Sequence, residues 1–151
     1  MNSQTVEQWQ ERLHVSPYNC ALNLQFAELA EWGCALRLPF RADLIGDPES
    51  GAIHAGAIAA LVDTTFGFSV YIRIKEHRGF VTLDLRIDHL HRSTPGRALL
   101  CLGECYKVTT DFAFVRGVVY HDDKTEPIAT AVGVFMFTAG DLPMATGSSN
   151  S

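Results

Sequence analysis

Between Gly51 and Ile74 the chain is almost wholly apolar, and its bulky and small residues recur with a 3.6-residue period. Wound as a helix from about Ala55, this stretch has two unlike faces. Ile58, Leu61, Val62, Thr65, Phe68 and Ile72 form a bulky one, while Gly56, Ala59, Ala60, Asp63 and Gly67 form one that is nearly all small. A bulky face suits burial against a sheet, whereas a small face lets a second backbone or a ligand come close. Asp63 sits in the middle of the small face and is the sole carboxylate between Glu49 and Glu76.

Around this helix the pattern changes period. Ser3 to His14 reads as a short amphipathic helix with Val6, Trp9 and Leu13 on one side, ended by Ser16-Pro17 and followed by a connector at Asn19 to Asn23. Leu24 to Leu29 and Gly33 to Arg41 alternate as strands about a turn at Glu31-Trp32-Gly33, with Pro39 marking an edge or a strand end. Arg41 to Ile53 is predicted to be a loop, and Lys75 to Gly79 a polar break. Phe80 to His91 alternates, with Val81, Leu83, Leu85 and Ile87 on one face and Thr82, Asp84, Arg86 and Asp88 on the other. Arg97 to Val108, Phe112 to His121 and Pro127 to Thr138 are three more strands, antiparallel by their hairpin spacing.

The predicted class is therefore α+β: a long central helix wrapped by a curved antiparallel sheet of five to six strands. The expected division is an N-terminal helix and connector over 1–20, the main domain over 21–139 and a disordered tail over 140–151. One chain leaves the small helix face uncovered, which predicts at least a homodimer.

Composition narrows the function. A net charge of −5 disfavours nucleic acid or a membrane surface as partner. His54, Asp63 and Arg73 interrupt the apolar stretch against a membrane span, and no leader pattern precedes it, so a cytoplasmic protein is expected. The four cysteines lack Cys-x-x-Cys spacing. Cys101 and Cys105 on one strand would be roughly 13 Å apart, too far to bridge, so packed, reduced thiols are expected. His89 and His91 next to Asp88 lack an evident third ligand, and no metal is expected.

His54 and Asp63 are the candidate chemistry. Nine positions on a helix turn two residues by about 180° and separate them by about 13 Å, so they cannot form a dyad within one chain. Antiparallel helices from two subunits would bring each helix N-terminus beside the other's Asp63. The N-terminus offers unpaired N–H groups and partial positive charge, suited to an oxyanion, and an isolated carboxylate opposite them can attack or activate water. Acyl transfer to water is the reaction such a pair supports. The same residues also fit a plain structural role, with Asp63 as a buried specificity group and His54 as a helix cap.

These residues resemble the hotdog-fold acyl-CoA thioesterases of the phenylacetate-pathway, PaaI-like type. In that family a Gly-x-x-His-Gly-Gly segment opens a long helix, with an acid nine positions after the His. Here Gly51, His54, Gly56 and Asp63 match in register, with Ala55 in place of the first Gly of His-Gly-Gly. The resemblance runs from about Leu24 to Thr138 and includes the strand from Phe80, the His89-Leu90 segment leading to Pro95-Gly96, and the strand from Pro127. It implies a hotdog fold and hydrolysis of a small or medium acyl-CoA, aromatic acyl groups included. Asp63 would be general base or nucleophile, the Ala55 N–H the oxyanion donor, and His54 the residue orienting the thioester. Thr82 would hold the attacking water. Substrate contacts are expected at Gly56, Pro48, Gly51, Gly67, His89 and Arg92. Arg92 and Arg97 flank the Pro95-Gly96 turn, where they either contact the CoA phosphates or are solvated charges of a hairpin. Phe66, Phe68, Phe112 and Phe114 are expected in the core or the acyl-pocket wall. The resemblance further implies no cofactor beyond the coenzyme A of the substrate, and a dimer of dimers. Two alternatives stay open: an acyl-CoA hydratase or dehydratase with His54 as base, and a non-catalytic acyl-CoA-binding protein. The second is motivated by Pro48 where the family often has Asn, by Ala55, and by Thr109-Thr110-Asp111 where a Gly-Lys turn is common.

Overall fold

The computed structural model describes residues 4–76 and 78–140, so Ser3, His77 and residues 141–151 of the expected tail lie outside the described residues. Helix α1 (Val6–Leu13) is opened by a capping box in which the Thr5 hydroxyl accepts from the Gln8 N–H at 3.4 Å and the Gln8 side chain accepts from the Thr5 N–H at 2.9 Å. It buries Trp9 and Leu13, as its periodicity predicts. Ser16-Pro17 does more than end it. Ser16 caps, and Pro17 begins, a second helix, α2 (Pro17–Ala21), because a proline in the first helical position loses no bond it needed. The connector expected at Asn19 to Asn23 is thus partly helical.

Strands β1 (Gln25–Ala30) and β2 (Gly33–Leu38) pair antiparallel, and β2 stops just before Pro39. The segment expected to be a loop, Arg41 to Ile53, holds a 3-10 turn (Ala42–Leu44) and a small hairpin of β3 (Ile45–Asp47) and β4 (Ala52–Ile53). Strands of three and two residues are too short to show alternation, which is why the pattern read as loop. Helix α3 (Ala55–Ile74) follows, capped by His54 and ended at Lys75, whose left-handed backbone (φ 56°) closes the helix with an N–H to the Tyr71 carbonyl at 3.1 Å.

The remaining strands are β5 (Phe80–His89), β6 (Leu99–Val108), β7 (Phe112–Tyr120) and β8 (Ala129–Phe137). Six strands form one sheet in the order β1-β2-β6-β7-β8-β5, antiparallel throughout. Helix α3 lies across its middle, the expected hotdog arrangement. Ile58, Leu61, Val62, Thr65 and Ile72 of the bulky face are buried, whereas Gly56, Ala59, Ala60, Asp63 and Gly67 keep solvent contact. By length and apolarity α3 alone among the described helices would suffice to cross a membrane, but half of it is buried inside this fold, as a core helix is.

Size complementarity sets how closely α3 approaches the sheet. Phe66 is fully buried over Gly103, Gly117 and Gly133 of β6, β7 and β8. A Cβ on Gly117 would stand 2.7 Å from the Phe66 ring, and one on Gly133 would stand 3.0 Å from it. Side chains at these positions would push the helix off the sheet. Phe112 and Phe114 do not join this core. They alternate with buried Ala113 and Val115 and so lie on the opposite, outer face of the sheet.

The largest departure from the sequence pattern is in β5. A bulge between Thr82 and Asp84 inserts Leu83 as an unpaired residue. Before it, Phe80 and Thr82 pair with Phe137 and Phe135; after it, Leu85 and Ile87 pair with Gly133 and Ala131. All these partners are on the helix-facing side. The bulge therefore breaks the single alternation expected over Phe80 to His91. Val81 falls on the outer face with Asp84, Arg86 and Asp88, while Thr82 turns toward α3.

Candidate active site

The candidate site residues fall in two structures that one chain keeps apart. The first is the start of α3. His54 has extended backbone (φ −58°, ψ 135°) and its Nδ1 accepts the Gly56 N–H at 2.8 Å. The Ala57 and Ile58 N–H groups donate to the His54 carbonyl at 3.0 and 3.3 Å. Among the described residues this leaves the Ala55 N–H as the first-turn donor with no acceptor. Because Nδ1 accepts, the neutral His54 ring carries its proton on Nε2 and presents a donor outward.

The small hairpin fixes this turn. The His54 N–H donates to the Leu44 carbonyl at 2.8 Å. Gly46 of β3 passes so close that a Cβ there would lie 2.7 Å from His54 Cα and 2.9 Å from its Cβ. Gly51 holds φ at 69° and gives its N–H to the Asp47 carbonyl at 2.8 Å, closing the turn that contains Pro48. The Asp47 carboxylate accepts from the Ser50 hydroxyl at 2.6 Å and the Glu49 N–H at 3.2 Å, with Arg92 at 3.9 Å. Those hydrogen bonds, Ser50's first, hold its carboxyl below the usual carboxylate range.

The second structure is the middle of α3 with the bulged strand. Thr82 Oγ1 donates to Asp63 Oδ1 at 2.8 Å. Asp63 is half-buried, and its second oxygen has no partner among the described residues. Such a carboxylate, oriented by a hydroxyl and open on one side, can take a proton from water or attack an electrophile. Gly67 lies one turn further along the same face, where a Cβ would meet Phe80 at 3.6 Å.

The expected residues thus fall into groups. Thr82 and Asp63 are in direct contact. Pro48, Gly51, His54, Ala55 and Gly56 surround the helix start, with Arg92 at its hairpin. His89 ends β5 and is exposed. Asp63 is not brought to Ala55, since eight helical residues separate them by about 12 Å. A polar depression of about 780 Å³ lies elsewhere, lined by His91, Arg92, Arg97, His121, Asp122 and Glu126 among others, and neither Asp63 nor Thr82 borders it. Arg97 is ion-paired with Asp122 there. Sequence reasoning missed the hairpin contacts of Gly46 and the buried side chains of Ser93 and His121; the Gly in Ile-Gly-Asp was the only available signal for the first.

Comparison with known proteins agrees with this frame. The thioesterase superfamily model matches residues 50–128, which span both halves of the site. A Pseudomonas aeruginosa protein of solved structure is 40% identical, with 87% of this chain and 97% of that one covered and a TM-score of 0.77. The E. coli PaaI protein of the phenylacetic acid degradation operon is 14% identical over 89% of this chain and 94% of that one (TM-score 0.77). A Haemophilus influenzae thioesterase is 13% identical over 91% and 92% (TM-score 0.79). These last two speak to the fold alone. No functionally curated protein matches the chain. A family match over more than half of the sequence, a 40% identical relative and the hotdog architecture together make this chain a member of the thioesterase superfamily.

Proposed function

We propose that the protein is an acyl-CoA thioesterase that hydrolyses a small or medium acyl-CoA at a site shared by two subunits. The observation that carries this reading is the Thr82–Asp63 hydrogen bond, which orients a lone carboxylate on the small face of α3. Water held there attacks the thioester carbonyl carbon and gives its proton to Asp63; alternatively Asp63 attacks and water then cleaves the acyl-enzyme. The Ala55 N–H of the partner helix stabilises the oxyanion, and collapse breaks the C–S bond, releasing the CoA thiolate, which takes up a proton. His54 Nε2–H orients the thioester, and Arg92 and His89 lie toward the CoA end. No further cofactor enters these steps.

Three surfaces support an oligomer. The small face of α3 is open, and the edge strand β5 exposes Val81 and Leu83. A second helix antiparallel across a two-fold axis would cover the former and join Ala55 to Asp63. The outer sheet face, with Tyr106, Val132 and Met136 exposed, supports pairing of dimers into a tetramer. A cytoplasmic setting fits a CoA substrate and the free thiols.

The His54 tautomer favours hydrolysis over a hydratase, because a ring whose Nε2 carries the proton is a donor and not a base. The test is thiol release from acetyl-, hexanoyl-, benzoyl- and phenylacetyl-CoA by wild type and Asp63→Ala. The aromatic members are included because of the likeness to PaaI. The expected result is release from at least one thioester and a loss of about 10²–10⁴-fold in the variant. Undiminished release by Asp63→Ala, or tight acyl-CoA binding with no release by wild type, would contradict the proposal.

A further inference from the structure

A buried hydroxyl in the segment between β5 and β6 and a buried imidazole just past β7 are not used by the proposed chemistry. Ser93 is 5% exposed and His121, one residue past β7, is 9% exposed. Ser93 Oγ accepts the Ile53 N–H at 2.8 Å. The next residue, Thr94, gives its N–H to His121 Nε2 at 2.9 Å, and His121 Nδ1 lies 2.8 Å from the Ala98 carbonyl. A backbone N–H can only donate, so Nε2 is the acceptor and the ring proton is on Nδ1, pointing at Ala98. One neutral imidazole thus bridges two points of a single loop.

Ile53 is the residue before His54 and two before Ala55. Its N–H is held from one side by Ser93, while the His54 N–H is held from the other by Leu44. Pro95 adds a third contact: a Cβ on Gly51 would stand 2.8 Å from its Cγ. The loop is tied in turn to the start of β8, since the Leu90 and His91 N–H groups both donate to the Ile128 carbonyl, at 2.8 and 3.1 Å. Hydrogen bonds joined through the Ser93-Thr94 backbone therefore run from Ala98 through His121 to the Ile53 N–H, two residues before the free Ala55 N–H.

We infer that Ser93 and His121 are positioning residues for the oxyanion donor: His121 fixes the Ser93-Thr94 loop, and Ser93 fixes the aim of the turn at Ile53-His54-Ala55. This rests on the reading of the protein as a thioesterase that uses the Ala55 N–H. Loss of either side chain lets that N–H drift, so the effect falls mainly on kcat and less on KM.

The experiment compares Ser93→Ala, His121→Phe and His121→Gln with wild type. It reads thiol release from the most rapidly cleaved thioester of the panel and hydrogen exchange of the Ile53 and Gly56 amides by NMR. Ser93→Ala and His121→Phe are expected to lower kcat about 10- to 100-fold with KM changed less than about threefold. They should also speed exchange at Ile53 and Gly56 while Val62, in mid-helix, keeps its protection. Glutamine at 121 can accept from Thr94 and donate to Ala98, and is expected to restore both readouts. If wild type releases thiol and Ser93→Ala and His121→Phe match its kcat, or if Gln restores nothing that Phe removes, the inference is overturned. If wild type cleaves no thioester, the functional reading fails instead, and unchanged Ile53 and Gly56 exchange in the variants would overturn the positioning relay independently.

Discussion

Thr82 Oγ1 donates a 2.8 Å hydrogen bond to Asp63 Oδ1, joining the edge strand to the small face of the central helix. The contact exists because Leu83 is bulged out of β5, which lets Thr82 face α3 while Leu85 and Ile87 still reach the core. Thr82→Val should keep the strand but leave the carboxylate unoriented, lowering kcat roughly 10- to 100-fold, whereas Thr82→Ser should stay near wild type. Steady-state thiol release by the two variants checks this; equal rates in both would separate Thr82 from the chemistry.

Gly46 controls the other half of the site. Its missing Cβ lets β3 run against His54, with backbone atoms too close for even a methyl group. Gly46→Ala should cost about 1–3 kcal/mol in urea unfolding, the usual range for overpacking, and depress kcat as the helix start is displaced. A variant with wild-type stability and wild-type turnover would show that the hairpin does not constrain His54.

Thiol behaviour follows from burial. Cys34 and Cys101 have their thiols pushed up to about 12, and Cys105 to about 11, in each case chiefly by desolvation, against an ordinary value of 9.0. Only Cys20 is exposed. At pH 8 a thiol reagent should therefore titrate one cysteine per folded chain promptly and the other three only on unfolding. Above pH 9.0 the unfolded chain ionises these thiols before the folded one does. Stability is then flat below 9.0 on their account and falls as the pH rises toward 12. Raised Tyr71 and Tyr120 act in the same direction. Prompt labelling of several thiols, or stability that climbs from pH 9 to 10, would contradict this packing.

Much of this frame was legible in the chain. The alternation of bulky and small residues from Ala55 to Ile74 located α3 and both its faces, because a long helix gives the period many turns in which to show. Helix α2 was hidden by Pro17, which reads as a breaker unless Ser16 is recognised as its cap. The hairpin of β3 and β4 was hidden by its shortness. The β5 bulge was invisible because Val81, Leu83, Leu85 and Ile87 make an unbroken apolar alternation; only the register against β8 reveals the switch. Phe112 and Phe114 read as core or acyl-pocket wall by size; buried Ala113 and Val115 take the inner positions in the core under Phe66 and its neighbours. Ser93 and His121 act through contacts 40 and 27 residues distant in sequence, to Ile53 and Thr94, which no local pattern encodes.

The division of the site between two chains is testable with two inactive variants. Ala55→Pro deletes the oxyanion N–H at the first helical position, where proline is well tolerated and where the extended backbone of His54 suits a following proline. Asp63→Ala deletes the carboxylate. Each alone should lose about 10²–10³-fold in kcat or more. Mixed in equal amounts, unfolded together and refolded, half of the dimers pair unlike chains, and each of those holds one site with both wild-type groups. The mixture should then recover about one quarter of wild-type thiol release. A mixture no more active than its separate components would mean that Ala55 and Asp63 do not act across an interface.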